Sequence, residues 1–241
     1  MQISVSENPA KAAAKELADA IFLNLSKEKQ VLVLLAGGSA NDVYDLVPDF
    51  LKGDDLSGLM LIMGDERWNP DPKHSDSDWQ HFKQTRFYEF AKERGAKLID
   101  ILSGRSLDSE TADFGKLLQN AITDNFYLIA QLGIGPDGHT AGITPGGEEE
   151  FREVYDTEKL AVSQHLDSKH RDRITISLAM LDYVDTFILF AKGEQKKSVL
   201  QMLVESAKWK SEKRLEQLHT YPVLYLADKS AKLFTDQKIN S

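Results

Sequence analysis

Val31-Leu32-Val33-Leu34-Leu35 is a run of five apolar residues with no polar alternation, and similar runs recur along the chain. A strand with one wet face alternates; a strand without alternation is covered on both faces and sits in the middle of a sheet. The recurrences fall at residues 59–63, 97–102, 126–132, 186–191 and 223–227. Amphipathic stretches separate them. Asn8-Pro9 reads as an N-cap followed by Pro at the first helical position, which predicts a helix from about Pro9 to Leu25 with Leu17, Ala20, Ile21 and Leu25 at helical spacing. Trp79, Phe82, Phe87 and Phe90 fall near one helical face, and Val199, Leu200, Leu203 and Val204 mark another helix. Strands alternating with helices predict an α/β fold: a single domain over residues 1–241 with a mostly parallel, doubly wound sheet flanked by helices.

Composition removes several function classes. The chain has 241 residues, 41% of them hydrophobic and 28% charged, as in a globular protein with a sizeable core. Its 29 Lys and Arg against 38 Asp and Glu leave a net charge of −9, which argues against binding nucleic acid. The absence of Cys excludes disulfides, thiolate zinc sites and cysteine nucleophiles, and a reducing cytoplasm is the expected setting. The most apolar stretch, residues 31–36, is too short to span a bilayer, and no leader pattern opens the sequence, so no membrane partner is expected.

Four strand candidates are each followed by a polar or glycine-rich turn: Gly37-Gly38-Ser39, Gly64-Asp65-Glu66-Arg67-Trp68, residues 133–140, and Lys192-Gly193-Glu194-Gln195-Lys196. Ligands of open parallel sheets bind outside the carboxyl ends of the strands, so these turns are expected to converge on one cleft. Gly37-Gly38-Ser39 suits a phosphate cradle, or equally a tight turn with Ser39 as N-cap before a helix holding Val43, Tyr44 and Leu46. Asp65, Glu66 and Arg67 read either as a solvated charge run or as a cleft wall, and Trp68 as packing.

Residues 133–138 satisfy G-x-G-x-x-G, but a dinucleotide site needs a helix opening at the last glycine, and Thr144-Pro145-Gly146-Gly147 interrupts any helix there. What remains is Asp137 two residues before His139 in a glycine-rich loop. An imidazole serves as a general base near neutrality, and a neighbouring carboxylate orients it. Arg173, before the alternating Ile174-Thr175-Ile176-Ser177-Leu178, and Lys196 are either solvated cations or the positive side of a phosphate site. His165 and His170 are expected at the surface. No His pair has helical i, i+4 spacing and no segment resembles a calcium loop, so no metal is expected.

In this order the motifs resemble those of the 6-phosphogluconolactonase family: Leu35-Ala36-Gly37-Gly38-Ser39 its glycine-Ser loop, Asp65-Glu66-Arg67-Trp68 its DERW segment, and residues 135–141 its GPDGHTA signature. Arg173-Ile174-Thr175 and Gly193-Glu194-Gln195-Lys196 are similar to two further landmarks. The resemblance implies cofactor-free, cytoplasmic hydrolysis of 6-phospho-D-glucono-1,5-lactone to 6-phospho-D-gluconate in the oxidative pentose phosphate pathway. It implies His139 as general base on water with Asp137 beside it, Gly37, Gly38, Ser39, Arg173 and Lys196 at the phosphate, and Arg67 lining the cleft. The oxyanion is expected to be met by backbone amides of a glycine loop or by an Arg, with Arg67 the candidate. A phosphorylated sugar lactone is the expected partner, and the protein a monomer or small homo-oligomer.

The chain departs from the family pattern at Ala40-Asn41, where Thr-Pro is usual, and at Asp76-Ser77-Asp78-Trp79, where D-S-N-Y is common. Gly142-Ile143-Thr144 likewise replaces a usual Ser-Leu-Phe, and the usual Lys-Pro pattern before Arg173 is missing. Two other readings share the pocket. An amino sugar phosphate isomerase/deaminase would use Asp65 as carbon base and His139 in ring opening, but typically carries Asn-Glu-Pro where this chain has Thr144-Pro145-Gly146. A noncatalytic sugar-phosphate sensor would bind without turnover.

Overall fold

The computed structural model describes residues 1–52, 55–166 and 172–239. Among them, the strands are β1 (Gln2–Val5), β2 (Val31–Leu35), β3 (Leu59–Met63), β4 (Asp65–Arg67), β5 (Lys97–Ile99), β6 (Tyr127–Gly133), β7 (Ala161–His165), β8 (Asp172–Ile176), β9 (Thr186–Ala191) and β10 (Ala231–Thr235). The larger sheet has the order β1-β10-β9-β6-β2-β3-β5 with every pairing parallel, and the smaller, β4-β8-β7, is antiparallel. Every residue of β2 and β3 is buried, which is why neither alternates. Each fully buried Leu there contributes roughly 1.5–3 kcal/mol by leaving water.

Parallel neighbours require crossovers, and helices supply them. Helix α1 (Pro9–Leu25) precedes β2; α2 (Asn41–Tyr44) separates β2 from β3; α3 (Asp78–Phe82) and α4 (Arg86–Glu93) separate β4 from β5. Then α5 (Leu107–Thr123) leads to β6, α6 (Glu148–Tyr155) to β7, α7 (Leu178–Leu181) to β9, and α8 (Lys197–Ser206) with α9 (Ser211–Glu216) to β10. Starting at β2 the chain steps outward through β3 to β5, then returns to the other side of β2 as β6 and steps outward through β9 to β10. Winding reverses between β2 and β6, and the loops leaving those two strands part to open a crevice.

A single residue, Gly64, carries the chain from one sheet into the other. Its N–H donates to the Leu35 carbonyl at the end of β2 (2.7 Å), and its carbonyl accepts from Ile176 N–H of β8 (2.9 Å). The small sheet is thereby fastened across the carboxyl end of the large one.

The α/β architecture with its parallel sheet agrees with the sequence reading, as do α1, β2, β3 and β9 to the residue. Asn8 caps α1 by accepting from Lys11 N–H (3.0 Å). Several boundaries differ. Residues 223–227 do not form a strand: Pro222 opens a 3-10 turn over Pro222–Leu226, because its fixed φ starts a helical turn and it has no N–H to give a sheet ladder. The outer strand there is instead β10, which Lys232 disguises, and its edge partner β1 is too short to register as a run. β5 stops at Ile99, where the Asp100 side chain accepts from Leu102 N–H and turns the chain. β6 is displaced by one residue, to Tyr127–Gly133. The helix after Gly37-Gly38-Ser39 has only four residues and ends before Leu46. The expected aromatic face is divided between α3 and α4, whose Trp79, Phe82 and Phe87 still meet edge to face or tilted in the core.

Candidate active site

The four turns do converge. One cleft of about 300 Å³ is lined by Gly37, Gly38 and Ser39 after β2, Asp65 and Arg67 of β4, residues 133–136 with His139 after β6, Arg173 of β8, and Lys196 after β9. It opens at the point where the winding of the large sheet reverses. A more voluminous groove, about 750 Å³, lies between α5 and the stretch joining α6 to β7, and holds none of the residues singled out from the sequence.

Alternation along β4 sorts the Asp65-Glu66-Arg67 run. Asp65 and Arg67 face the cleft, and Glu66 points away into the protein. Asp65 and Glu66 are both buried, so the solvated reading of this run is excluded. Glu66 accepts four hydrogen bonds, each 2.8 Å: from the N–H groups of Arg67, Asp78 and Trp79 and the hydroxyl of Ser77. It therefore pins the start of α3 against β4. Burial, reinforced by the charge of Asp78, pushes its carboxyl up to about 7.

Register places Arg67 opposite Arg173 in the β4-β8 ladder. Each is held by a carboxylate: Arg173 Nη1 lies 3.6 Å from Asp65 Oδ2, and Arg67 Nη1 lies 3.4 Å from Asp78 Oδ1 while donating to the Asp76 carbonyl (2.6 Å). Among the described residues, the Nε–H groups of both arginines are buried without a hydrogen-bond partner. Burial, then the charge of Asp78, pushes the Asp65 carboxyl up to about 6 against the pull of Arg173. Lys196 ends the 3-10 turn Glu194–Lys196 rather than opening α8, and burial draws its ammonium below the usual lysine range. Among the described residues no carboxylate stands within ion-pair distance of it. The cleft walls thus carry three cations and two carboxylates, a local positive excess in a chain of net charge −9.

His139 Nδ1 lies 2.6 Å from Asp137 Oδ1, which also accepts from His139 N–H (3.2 Å). The hydrogen bond from His139 holds the Asp137 carboxyl below its usual range. An ionised carboxylate only accepts, so Nδ1 carries the proton and Nε2 presents the lone pair. The loop that arranges this requires glycine at 135, since a Cβ there would overlap both the His139 ring and Asp137. No helix follows Gly138: Thr140 and Ile143 pair as a bridge, and α6 begins only at Glu148, so the dinucleotide reading is excluded.

Ser39 sits inside the 3-10 turn Gly38–Ala40 and is not the N-cap of α2, so its hydroxyl is left at the cleft. Behind this loop, the buried Tyr44 hydroxyl accepts from Ala36 N–H (2.9 Å) and reaches the Ala36 carbonyl (3.0 Å) and the Gln131 side chain, locking the end of β2 to β6. Trp68 packs half-buried on the core, as expected. His165 is exposed and paired with Asp172 (2.7 Å), while His170 lies outside the described residues. Two cleft residues were not singled out for lactone chemistry. Asp65 enters the sequence reading as part of a possible cleft wall and as the base of a deaminase, and Asp78 only as a departure from a pattern. A Gly-Asp step leaving a fully apolar strand is the signal for the first. The burial of Asp78 depends on Glu66, and no local pattern discloses it.

A family model described as glucosamine-6-phosphate isomerases/6-phosphogluconolactonase matches residues 4–233. A 6-phosphogluconolactonase of Caulobacter vibrioides is 28% identical over 200 residues, covering 81% of this chain and 83% of that protein. A glucosamine-6-phosphate deaminase of Staphylococcus haemolyticus is 28% identical over 196 residues, covering 76% and 79%. Among solved structures, the 6-phosphogluconolactonase from Plasmodium vivax superposes with a TM-score of 0.76 at 19% identity, covering 99% of this chain and 90% of that one, so the fold is shared. The match over nearly the whole chain makes this protein a member of the glucosamine-6-phosphate isomerase/6-phosphogluconolactonase family.

Proposed function

We propose that the protein hydrolyses 6-phospho-D-glucono-1,5-lactone to 6-phospho-D-gluconate, a step of the oxidative pentose phosphate pathway, in the cytoplasm and as a monomer or small homo-oligomer. The observation that carries the reading is the His139–Asp137 pair set at a cleft that Arg173 and Lys196 also line. His139 Nε2 takes a proton from water as its oxygen attacks the lactone carbonyl carbon. The resulting oxyanion is met by Arg67, and collapse of the tetrahedral intermediate breaks the bond to the ring oxygen. That oxygen receives the proton back from the His139 imidazolium, and the new carboxylic acid ionises. Asp137 keeps the imidazole in one tautomer throughout. The phosphate lies against Gly37, Gly38 and Ser39, between Arg173 and Lys196.

The deaminase reading has one observation in its favour: buried Asp65 at the cleft, its carboxyl pushed up to about 6, is suited to take a carbon-bound proton. It lacks the Asn-Glu-Pro element, which this chain replaces with Thr144-Pro145-Gly146. A coupled assay on 6-phosphogluconolactone, corrected for spontaneous hydrolysis and run beside glucosamine 6-phosphate, separates the two. Replacing His139→Asn should lower lactone turnover by about 100-fold to 10,000-fold in a folded protein. Unchanged turnover would remove His139 as the base, and tight binding of sugar phosphate without turnover would make the protein a sensor.

A further inference from the structure

Asp78 is the first residue of α3, only 4% exposed, and its side chain forms part of the cleft wall. Its position is imposed: Ser77 caps the helix, and Glu66 holds the N–H groups of Asp78 and Trp79. The carboxyl group lies so close to Gly37 that a Cβ on that residue would collide with it. Oδ1 is buried and makes no hydrogen bond among the described residues. Arg67 Nη1, 3.4 Å away and donating to the Asp76 carbonyl, forms an ion pair with this oxygen but no hydrogen bond.

A buried carboxylate oxygen without a hydrogen-bond donor is costly, so a donor bound in the cleft would be favoured at Asp78. Phosphate is not that group, because it brings only negative oxygens; it belongs with the unpartnered Nε–H groups of Arg67 and Arg173 and with Lys196. An ammonium is disfavoured beside the Arg67 guanidinium. The donor that fits is a neutral hydroxyl. We propose that Asp78 is a specificity-determining residue that accepts a hydrogen bond from a ring hydroxyl of the bound sugar lactone. The assignment rests on the lactonase reading above, which supplies the hydroxylated ring. Asp78 thereby divides the cleft into a cationic end that reads the phosphate and an acceptor that reads the ring.

The test compares wild type, Asp78→Ala and Asp78→Asn on 6-phosphogluconolactone and on its 2-, 3- and 4-deoxy counterparts. Wild type should lose about 10-fold to 150-fold in kcat/KM on the deoxy lactone that lacks the recognised hydroxyl, the range of one charge-assisted hydrogen bond. Asp78→Ala should lose a similar factor on the parent lactone and change little on that deoxy analogue. Asp78→Asn, which keeps an acceptor oxygen, should fall between. Equal losses on all four substrates would show that Asp78 merely steadies Arg67, and indifference of the wild type to every deoxygenation would also overturn the proposal. If wild type shows no lactone turnover, the lactonase reading fails by itself. Calorimetric binding of 6-phosphogluconate and its deoxy forms to the same variants then decides the role of Asp78 by the same criteria.

Discussion

Replacing Asp65→Asn should make the protein more stable at mildly alkaline pH. The carboxyl of Asp65 is buried and titrates at about 6 instead of the ordinary 3.8. A raised carboxyl pKa means that the folded state holds the proton more tightly than the unfolded state does. Stability therefore falls as pH rises from about 4 through about 6, and the loss is complete above that window. Each pKa unit corresponds to about 1.36 kcal/mol, so the ionised Asp65 costs about 3 kcal/mol relative to its neutral form. This value already includes the favourable pull of Arg173, since Arg173 stands unpaired in both the protonated wild type and the Asn variant. The assay is urea unfolding of both proteins at about pH 5 and about pH 8, at one ionic strength. The variant should gain up to about 3 kcal/mol at the higher pH and roughly half of that at the lower. Glu66, also raised, leaves a residual slope of the same sign in the variant. A variant no more stable than wild type at about pH 8 would refute the reasoning.

Three further outcomes are expected. Lys196→Ala removes a cleft cation that has no carboxylate partner to orphan among the described residues, so KM for the phosphorylated lactone should rise at least about tenfold in steady-state assays while unphosphorylated gluconolactone is scarcely affected. Tyr44→Phe leaves the Ala36 N–H without its acceptor in the core, and thermal or chemical unfolding should show a loss of about 1–3 kcal/mol. Gly37→Ala drives a methyl into the buried Asp78 carboxyl group, so kcat/KM on the phosphorylated lactone should fall and chemical unfolding should show a loss of about 1–3 kcal/mol; a fully active variant of unchanged stability would contradict the packing described.

The middle of the large sheet was legible in the sequence because a strand buried on both faces has no choice but to be apolar throughout. β2 and β3 meet that condition at every residue, so runs of Val, Leu, Ile and Met mark them. The same logic misled at Val223–Leu226, where burial is complete for Val223, Leu224 and Leu226 yet the backbone is helical; a short apolar run reports burial, not conformation. β1 and β10, at one edge, carry polar residues that hide them. The cleft loops stood out because Gly, Asp and His directly after a buried strand have little structural excuse. Arg173 announced itself through the alternation of β8, but its place opposite Arg67 is a matter of register between residues far apart in the chain. Asp78 was least legible, since its burial is a tertiary effect of Glu66.

The edge formed by β1 and β10 has a consequence for how the molecule is made. β1 contributes one of its sides to the sheet, and its partner there is β10, with Gln2 opposite Lys232. During synthesis β1 emerges before anything else in the sheet, and the strand it needs emerges after all the others. It must wait, unpaired, until β10 has docked on β9, so this edge is expected to close last and to open first. Hydrogen exchange at Ser4 and Ser6, whose N–H groups face β10, would then report the release of this edge while the cleft, built between β2 and β6 at the centre, stays intact.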